Sequence, residues 1–144
     1  MTRKERTEIL AICGLETLKN LSMVITKTHT VKILEEPSGG LVMIKMRESA
    51  MKHLFYLGEV FVTECKVMID EVIGLGIIQG SHPQKAYHLA IIDAAYNSEL
   101  EAVNKLDHMI QEIGEHHREK EKKVVANVLK TKVDFITLDE EVKS

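Results

Sequence analysis

The hydrophobic and polar positions change their period along the chain, and the changes divide it into elements. From Arg3 to about Cys13, Ile9, Leu10 and Cys13 fall on one side of a short helix. Gly14 interrupts it. Leu15, Leu18, Leu21, Ser22 and Ile25 then recur at helical spacing and predict a second helix over 15–27. His29 marks the change to extended chain. Val31 to Glu35 and Leu41 to Arg47 read as two strands, joined by a turn at Glu36-Pro37-Ser38-Gly39-Gly40. A further strand is expected from His53 to about Leu57.

Over 59–70 the period is two. Thr63, Cys65, Val67 and Ile69 alternate with Glu64, Lys66, Met68 and Asp70, which sets one face on a core and the other outward. Asp70-Glu71 connects to a strand over 72–79. Neither residue is Gly, so a type I′ turn here costs about 1 kcal/mol of left-handed strain. The remainder reads as helix. One segment runs from Pro83 to about Asn97, with Pro83 at the first helical position and Ser81 or His82 as cap. Another begins near Ser98 with Leu100, Val103, Leu106, Ile110 and Ile113 on one stripe, and Gly114 is a place where it can bend or break. The chain closes on an extended apolar patch and an acidic tail. The expected architecture is α+β: two N-terminal helices, an antiparallel meander of about four to five strands, and C-terminal helices packed on the sheet, in one domain over 1–144.

Composition narrows the function classes. With 144 residues, 44% hydrophobic and 28% charged, the chain has enough apolar content for a core without a metal or disulfide staple. A net charge of −3 and only 4% aromatics argue against a nucleic-acid binder. No apolar run approaches membrane-spanning length and no signal sequence is evident, so a cytoplasmic location is expected. Cys13 and Cys65 form no C-x-x-C pair, and buried reduced thiols are expected, a disulfide being the alternative.

The stretch GLGIIQG before SHPQKAYH resembles a phosphate-binding loop but satisfies neither the dinucleotide fingerprint nor the P-loop. Gly74 and Gly76 stand two apart inside a strand, so both lie on one face, where their bareness admits a close neighbour. Packing is the expected role, and an anion at the helix start over Gly80–Lys85 the alternative. His108, Glu112 and His116 lie at four-residue intervals, with His117 adjacent; the outer two are about 12 Å apart along a helix, too far for one ion. Asp93, in an apolar setting, is expected to accept hydrogen bonds from a neighbouring backbone, Arg or Lys, the alternative being a raised-pKa general acid. No Ser–His–acid or Cys–His set is identifiable, so the residues do not support a freestanding enzyme.

GEVFVTECKVMIDEVIGLGIIQGSHPQKAYHLAIIDAA resembles the central block of the phosphonate-metabolism PhnG family, subunits of the bacterial carbon–phosphorus lyase system. Thr131 to Leu138 is similar to that family's closing Thr-Arg-Val-Asp-Phe-Phe-Thr-Met pattern, with Lys132, Ile136 and Leu138 as departures. Glu71 stands where the family tends to have Gly. The resemblance implies assembly with PhnH, PhnI and PhnJ, joined by PhnL, in a transferase that displaces adenine from ATP with an alkylphosphonate, giving α-D-ribose 1-methylphosphonate 5-triphosphate from methylphosphonate. It implies no cofactor of this chain's own. ATP is the assembly's substrate, and the iron–sulfur cluster and S-adenosylmethionine belong to PhnJ. It carries over no catalytic, cofactor-binding or metal residue. A homodimer of the isolated chain remains open.

Docking is expected on the strand block at 59–80 and on the apolar tail, with Glu59, Thr63, Glu64, Val133, Asp134, Phe135 and Thr137 as interface candidates. For the tail, packing against its own sheet is the alternative.

Overall fold

A computed structural model describes the backbone of residues 1–143 and the side chains of residues 1–132. The elements are α1 (Arg3–Ile12), α2 (Leu15–Thr26), β1 (Lys32–Arg47), β2 (Leu54–Ile69), β3 (Val72–Gln79), α3 (Pro83–Asn97) and α4 (Ala102–Lys143). The α+β class holds, but three long antiparallel strands, in the order β1-β2-β3, replace the expected four to five. The chain divides into two units, 1–107 and 108–144.

α1 starts on a capping box: Glu5 N–H donates to Thr2 Oγ1 at 3.2 Å, and Thr2 N–H donates to Glu5 Oε2 at 2.8 Å. Two of the N–H groups that a helix start leaves over are thereby satisfied. In α2 the predicted stripe is the buried one, with Leu18, Leu21, Ser22 and Ile25 all inside.

The expected turn at 36–40 does not form. β1 continues through it, and register shifts between Ile33 and Glu35 and between Glu35 and Ser38 absorb the irregularity. β1 lies at the sheet edge, where a proline lacking its N–H breaks no ladder on the open side. Gly39 belongs to this pairing: a Cβ there would stand 2.6 Å from Cζ of Phe61, whose ring covers the glycine. The strands expected at 53–57 and 59–70 are likewise one element, β2, with a register shift where Ile44 faces Gly58 and Lys45 faces Tyr56. The 70–71 turn is as expected, both residues having positive φ, 48° at Asp70 and 65° at Glu71.

α3 begins at Pro83 with His82 as its N-cap, whose side chain makes no capping bond. It packs across β3 and β2 and against α2. Gly74 pairs with Val67 and Gly76 with Cys65, so the glycines share the sheet face that meets α3. A Cβ on Gly74 would collide with Ala90 O and Ala94 N, and one on Gly76 with Ala86 O and Ala90 N. Two bare strand positions thus receive the Ala86–Ala90–Ala94 ridge, and backbone approaches backbone. Around this seam the first unit's core comprises Leu18, Leu21, Ile25, Val67, Ile69, Ile91, Ile92 and Leu106, each at most 1% exposed.

α4 begins at Ala102 rather than near Ser98, and Gly114 does not interrupt it. In the second unit Val124, Val125, Val128 and Leu129 are exposed along this helix. The tail at 133–138, expected to be extended, is helical instead: its backbone continues α4, the helical hydrogen-bond ladder running on past Leu129, and its side chains lie outside the described ones.

Candidate functional site

Three polar constellations and one apolar surface are the candidates. The first centres on Asp93, buried on α3. Arg3 Nη2 donates to both carboxylate oxygens at 3.1 Å, Leu75 N–H donates to Oδ2 at 3.0 Å and Asn97 Nδ2 donates to it at 3.2 Å. Arg6 Nη2 stands 3.6 Å from Oδ1. The expected backbone and arginine partners are therefore present. The Arg6 guanidinium is 3.7 Å from the Tyr96 ring centroid, a cation–π arrangement suited to a buried cation. Tyr96 in turn donates its hydroxyl to Asp107 Oδ1. Burial first, and this bond second, push the Tyr96 phenol far above its ordinary range. The network ties α1 to α3 and the edge of β3. A cavity of about 240 Å³ opens beside it, lined in part by Arg3, Arg6, Thr7, Leu75 and Asp93. A carboxylate accepting four hydrogen bonds from this chain has the partners of a structural anchor.

The second lies between α2 and α3. Ser22 Oγ is 3.0 Å from Lys19 O and 2.8 Å from His88 Nδ1. A hydroxyl has one proton, so when Ser22 gives it to Lys19 O, Nδ1 is the protonated nitrogen and Nε2 the acceptor; when Ser22 gives it to Nδ1, the roles reverse. Burial, with the Lys19 charge second, lowers the His88 pKa and favours the neutral ring. His88 lines a cavity of about 380 Å³ together with Lys19, Glu36, Gln84 and Tyr87. Ser22 is 1% exposed, so it orients the ring and is not a nucleophile open to a substrate.

The third is the strand-to-helix junction. Thr63 Oγ1 donates to Gly80 O at 2.6 Å and accepts from His82 N–H at 3.0 Å. Gly80 has φ of 87°, a conformation that glycine adopts without penalty. Thr63, expected as an interface candidate, is buried and clasps this junction from β2.

Cys13 and Cys65 are free and buried, their thiols donating to Ile9 O and Glu35 O. Burial pushes both thiols up. His117 Nε2 pairs with Glu121 Oε1 at 3.2 Å on α4. Among the described residues no group of three or more His, Cys, Asp or Glu side chains is placed to hold a metal ion. Nor, among those residues, is any helix long and apolar enough to cross a membrane.

The apolar surface is the outer part of the β1–β2 hairpin. β3 pairs with β2 only over Val62–Ile69, so residues 41–61 form a two-stranded arm. Leu41, Val42, Met43, Ile44, Met46, Met51, Leu54, Phe55, Tyr56, Leu57 and Phe61 are all exposed on it, from 42% at Ile44 to 68% at Met51. A two-stranded hairpin is marginal in water without something packed on it, and soluble monomers rarely expose so continuous an apolar patch. Of the expected interface residues, Glu59 is exposed on this arm opposite Met43, and Glu64 is half-buried beside Gly40. Val133, Asp134, Phe135 and Thr137 stand on α4, and their side chains lie outside the described ones. The arm's apolar residues were not among the expected candidates. Their signal was the uninterrupted runs Leu41-Val42-Met43-Ile44 and Leu54-Phe55-Tyr56-Leu57, which make both faces of a strand apolar.

The fold and its polar networks thus define an α+β protein whose buried polar groups hold its own elements together and whose exposed arm is apolar. The chain belongs to the family of the phosphonate metabolism protein PhnG, whose model matches residues 1–139. This places it in phosphonate metabolism. None of the curated proteins matches the chain.

Proposed function

We propose that this chain is a noncatalytic subunit of the carbon–phosphorus lyase assembly. With PhnH, PhnI and PhnL it supports displacement of adenine from ATP by an alkylphosphonate, yielding α-D-ribose 1-methylphosphonate 5-triphosphate when the substrate is methylphosphonate. PhnJ is a further partner, and the assembly works in the cytoplasm. The observation that carries the reading is the arm, whose apolar residues stand open on a chain of this family. Such a surface is explained by another subunit covering it. The polar constellations support the same reading, because Asp93, Ser22 and Thr63 each complete a contact within the fold.

The chain's contribution is to shape and close a site in which ATP and phosphonate are held in register. Closure excludes the water that would otherwise attack the ribose carbon. ATP is a substrate of the assembly, and the radical cleavage that follows uses an iron–sulfur cluster and S-adenosylmethionine. Those groups are expected in PhnJ: two buried cysteines bonded to backbone carbonyls do not match the four-thiolate set of common iron–sulfur clusters.

Calorimetric titration of the isolated chain with ATP, and separately with methylphosphonate, tests the reading. No saturable heat is expected. Saturable binding removed by Lys85→Ala would instead favour a self-contained anion- or nucleotide-binding module at the Gly80–Lys85 helix start.

A further inference from the structure

The arm's two faces differ chemically, and the difference specifies what covers them. Opposed residues of an antiparallel pair share a face, and alternate residues of one strand do too. Val42 opposite Val60, Ile44 opposite Gly58, and Met46 opposite Phe55 therefore form one face, which carries no charge. The other holds Leu41 with Phe61, Met43 with Glu59, Lys45 with Tyr56 and Arg47 with Leu54. Lys45 Nζ lies 5.2 Å from the Tyr56 ring centroid, consistent with a shared face. Toward the tip, residues 45–53 carry Lys45, Arg47 and Lys52 against Glu48 alone, three cations minus one acid, or +2 in a chain of net charge −3.

Area decides between occupants. The eleven exposed apolar side chains of the arm are roughly half exposed. At about 150–200 Å² per large side chain they present roughly 900–1,200 Å² in total, above the ~800 Å² per partner of a stable interface. The uncharged face, with Val42, Ile44, Met46 and Phe55, presents only about 300–400 Å² of this. A second copy of this chain stacking its arm face to face would cover too little. The other face mixes Lys45 and Arg47 with Glu59, so a second copy stacked there would have to desolvate charged side chains on both copies. Covering enough area requires a partner that reaches both faces.

We propose that the arm inserts into a cleft of a different protein subunit, with an apolar wall against Val42, Ile44, Met46 and Phe55. The opposite wall carries carboxylates that meet Lys45 and Arg47. The open edges of the arm add to the fit: β1 is an edge strand, and β2 has no β3 beside it over 54–61, so the cleft's own backbone can extend the ribbon. This inference rests on the subunit reading above and identifies the surface through which that reading works.

The test is co-purification of the full-length chain with co-expressed PhnH, PhnI and PhnJ. Wild type is compared with Ile44→Glu/Phe55→Glu and with Lys45→Glu/Arg47→Glu, each variant being checked for native circular dichroism. The apolar-face pair is expected to weaken association at least 100-fold. The charge-reversal pair is expected to weaken it about 10-fold at low salt and to flatten its salt dependence. Wild type and both variants co-purifying alike would overturn the arm assignment while leaving the subunit reading intact. Loss with the apolar pair alone would overturn the acidic wall. No co-purification of wild type would sink the subunit reading, and the cleft with it. Sedimentation of the isolated chain supplies an independent measurement: a stable dimer dissolved by Ile44→Glu/Phe55→Glu would make a second copy the occupant and overturn the proposal.

Discussion

Replacing Gly76 by Ala probes the seam on which the first unit is built. The added Cβ would stand 2.6 Å from Ala90 N and closer still to Ala86 O, both backbone atoms of α3. Ordinary carbon contacts begin near ~3.5 Å, so the helix must lift by roughly 1 Å. A gap of that size forfeits about a quarter to a half of each dispersion contact along the seam. Ala86, Ala90, Ile91 and Ala94, all fully buried, make such contacts on α3. Overpacking of this kind costs about 1–3 kcal/mol, more where the obstacle is rigid, and the alanine gains back about 0.4–1 kcal/mol through the unfolded chain. A net loss of about 2 kcal/mol is expected in urea unfolding followed by circular dichroism. Gly14→Ala is the control. Nothing lies within 4 Å of that position and its φ is −70°, so a change within about 0.5 kcal/mol is expected. Trimming Ala86 to Gly in the Gly76→Ala background should not restore stability, because the obstruction is main chain. A Gly76→Ala protein as stable as wild type would refute the close approach of α3 to β3.

Three other outcomes follow from the structure. Glu71→Gly should stabilise the chain by about 1 kcal/mol in the same urea assay, since Gly relieves the left-handed strain at φ of 65°; a destabilised variant would mean that the Glu71 side chain makes a compensating contact. Asp93→Asn should cost about 3 kcal/mol, mostly through buried Arg6, because Arg3 is largely exposed and screened; an unchanged midpoint would show the network to be dispensable. For His88 the folded-state pKa is below the unfolded one, so its contribution is fully present above the unfolded value of about 6.5 and is lost as pH falls from there through the lower folded-state value. Unfolding between pH 7.5 and 5.5 should show a shallower pH slope for His88→Gln than for wild type, and equal slopes would contradict the burial argument.

What could be read from the chain beforehand followed the range of the forces involved. The stripe Leu18–Leu21–Ser22–Ile25 and the alternation Thr63–Cys65–Val67–Ile69 are local periodicities, and both became core faces. Gly74 and Gly76 could be read as bare positions on one strand face, because two residues of separation suffice for that inference. Asp93 could be read as a hydrogen-bonded anchor, but not which groups would meet it: Arg3 is ninety positions away. The strand through Pro37-Ser38-Gly39-Gly40 is not legible locally, because turn chemistry there loses to pairing with β2, a partner whose length is not written in those residues. The capping box at Thr2 and Glu5 is local too, written in Thr-Arg-Lys-Glu. The clasp by Thr63 depends on a contact across seventeen positions, and its residue type alone points only to a polar strand position.

The most direct measurement is adenine release from ATP and methylphosphonate, followed for this chain alone, for PhnH, PhnI and PhnL without it, and for all four together. Turnover is expected only in the complete mixture, and restoring the chain to the depleted mixture should restore the rate. Adenine release by the lone chain at the rate of the complete mixture, or a depleted mixture that turns over as fast as the complete one, would contradict the account.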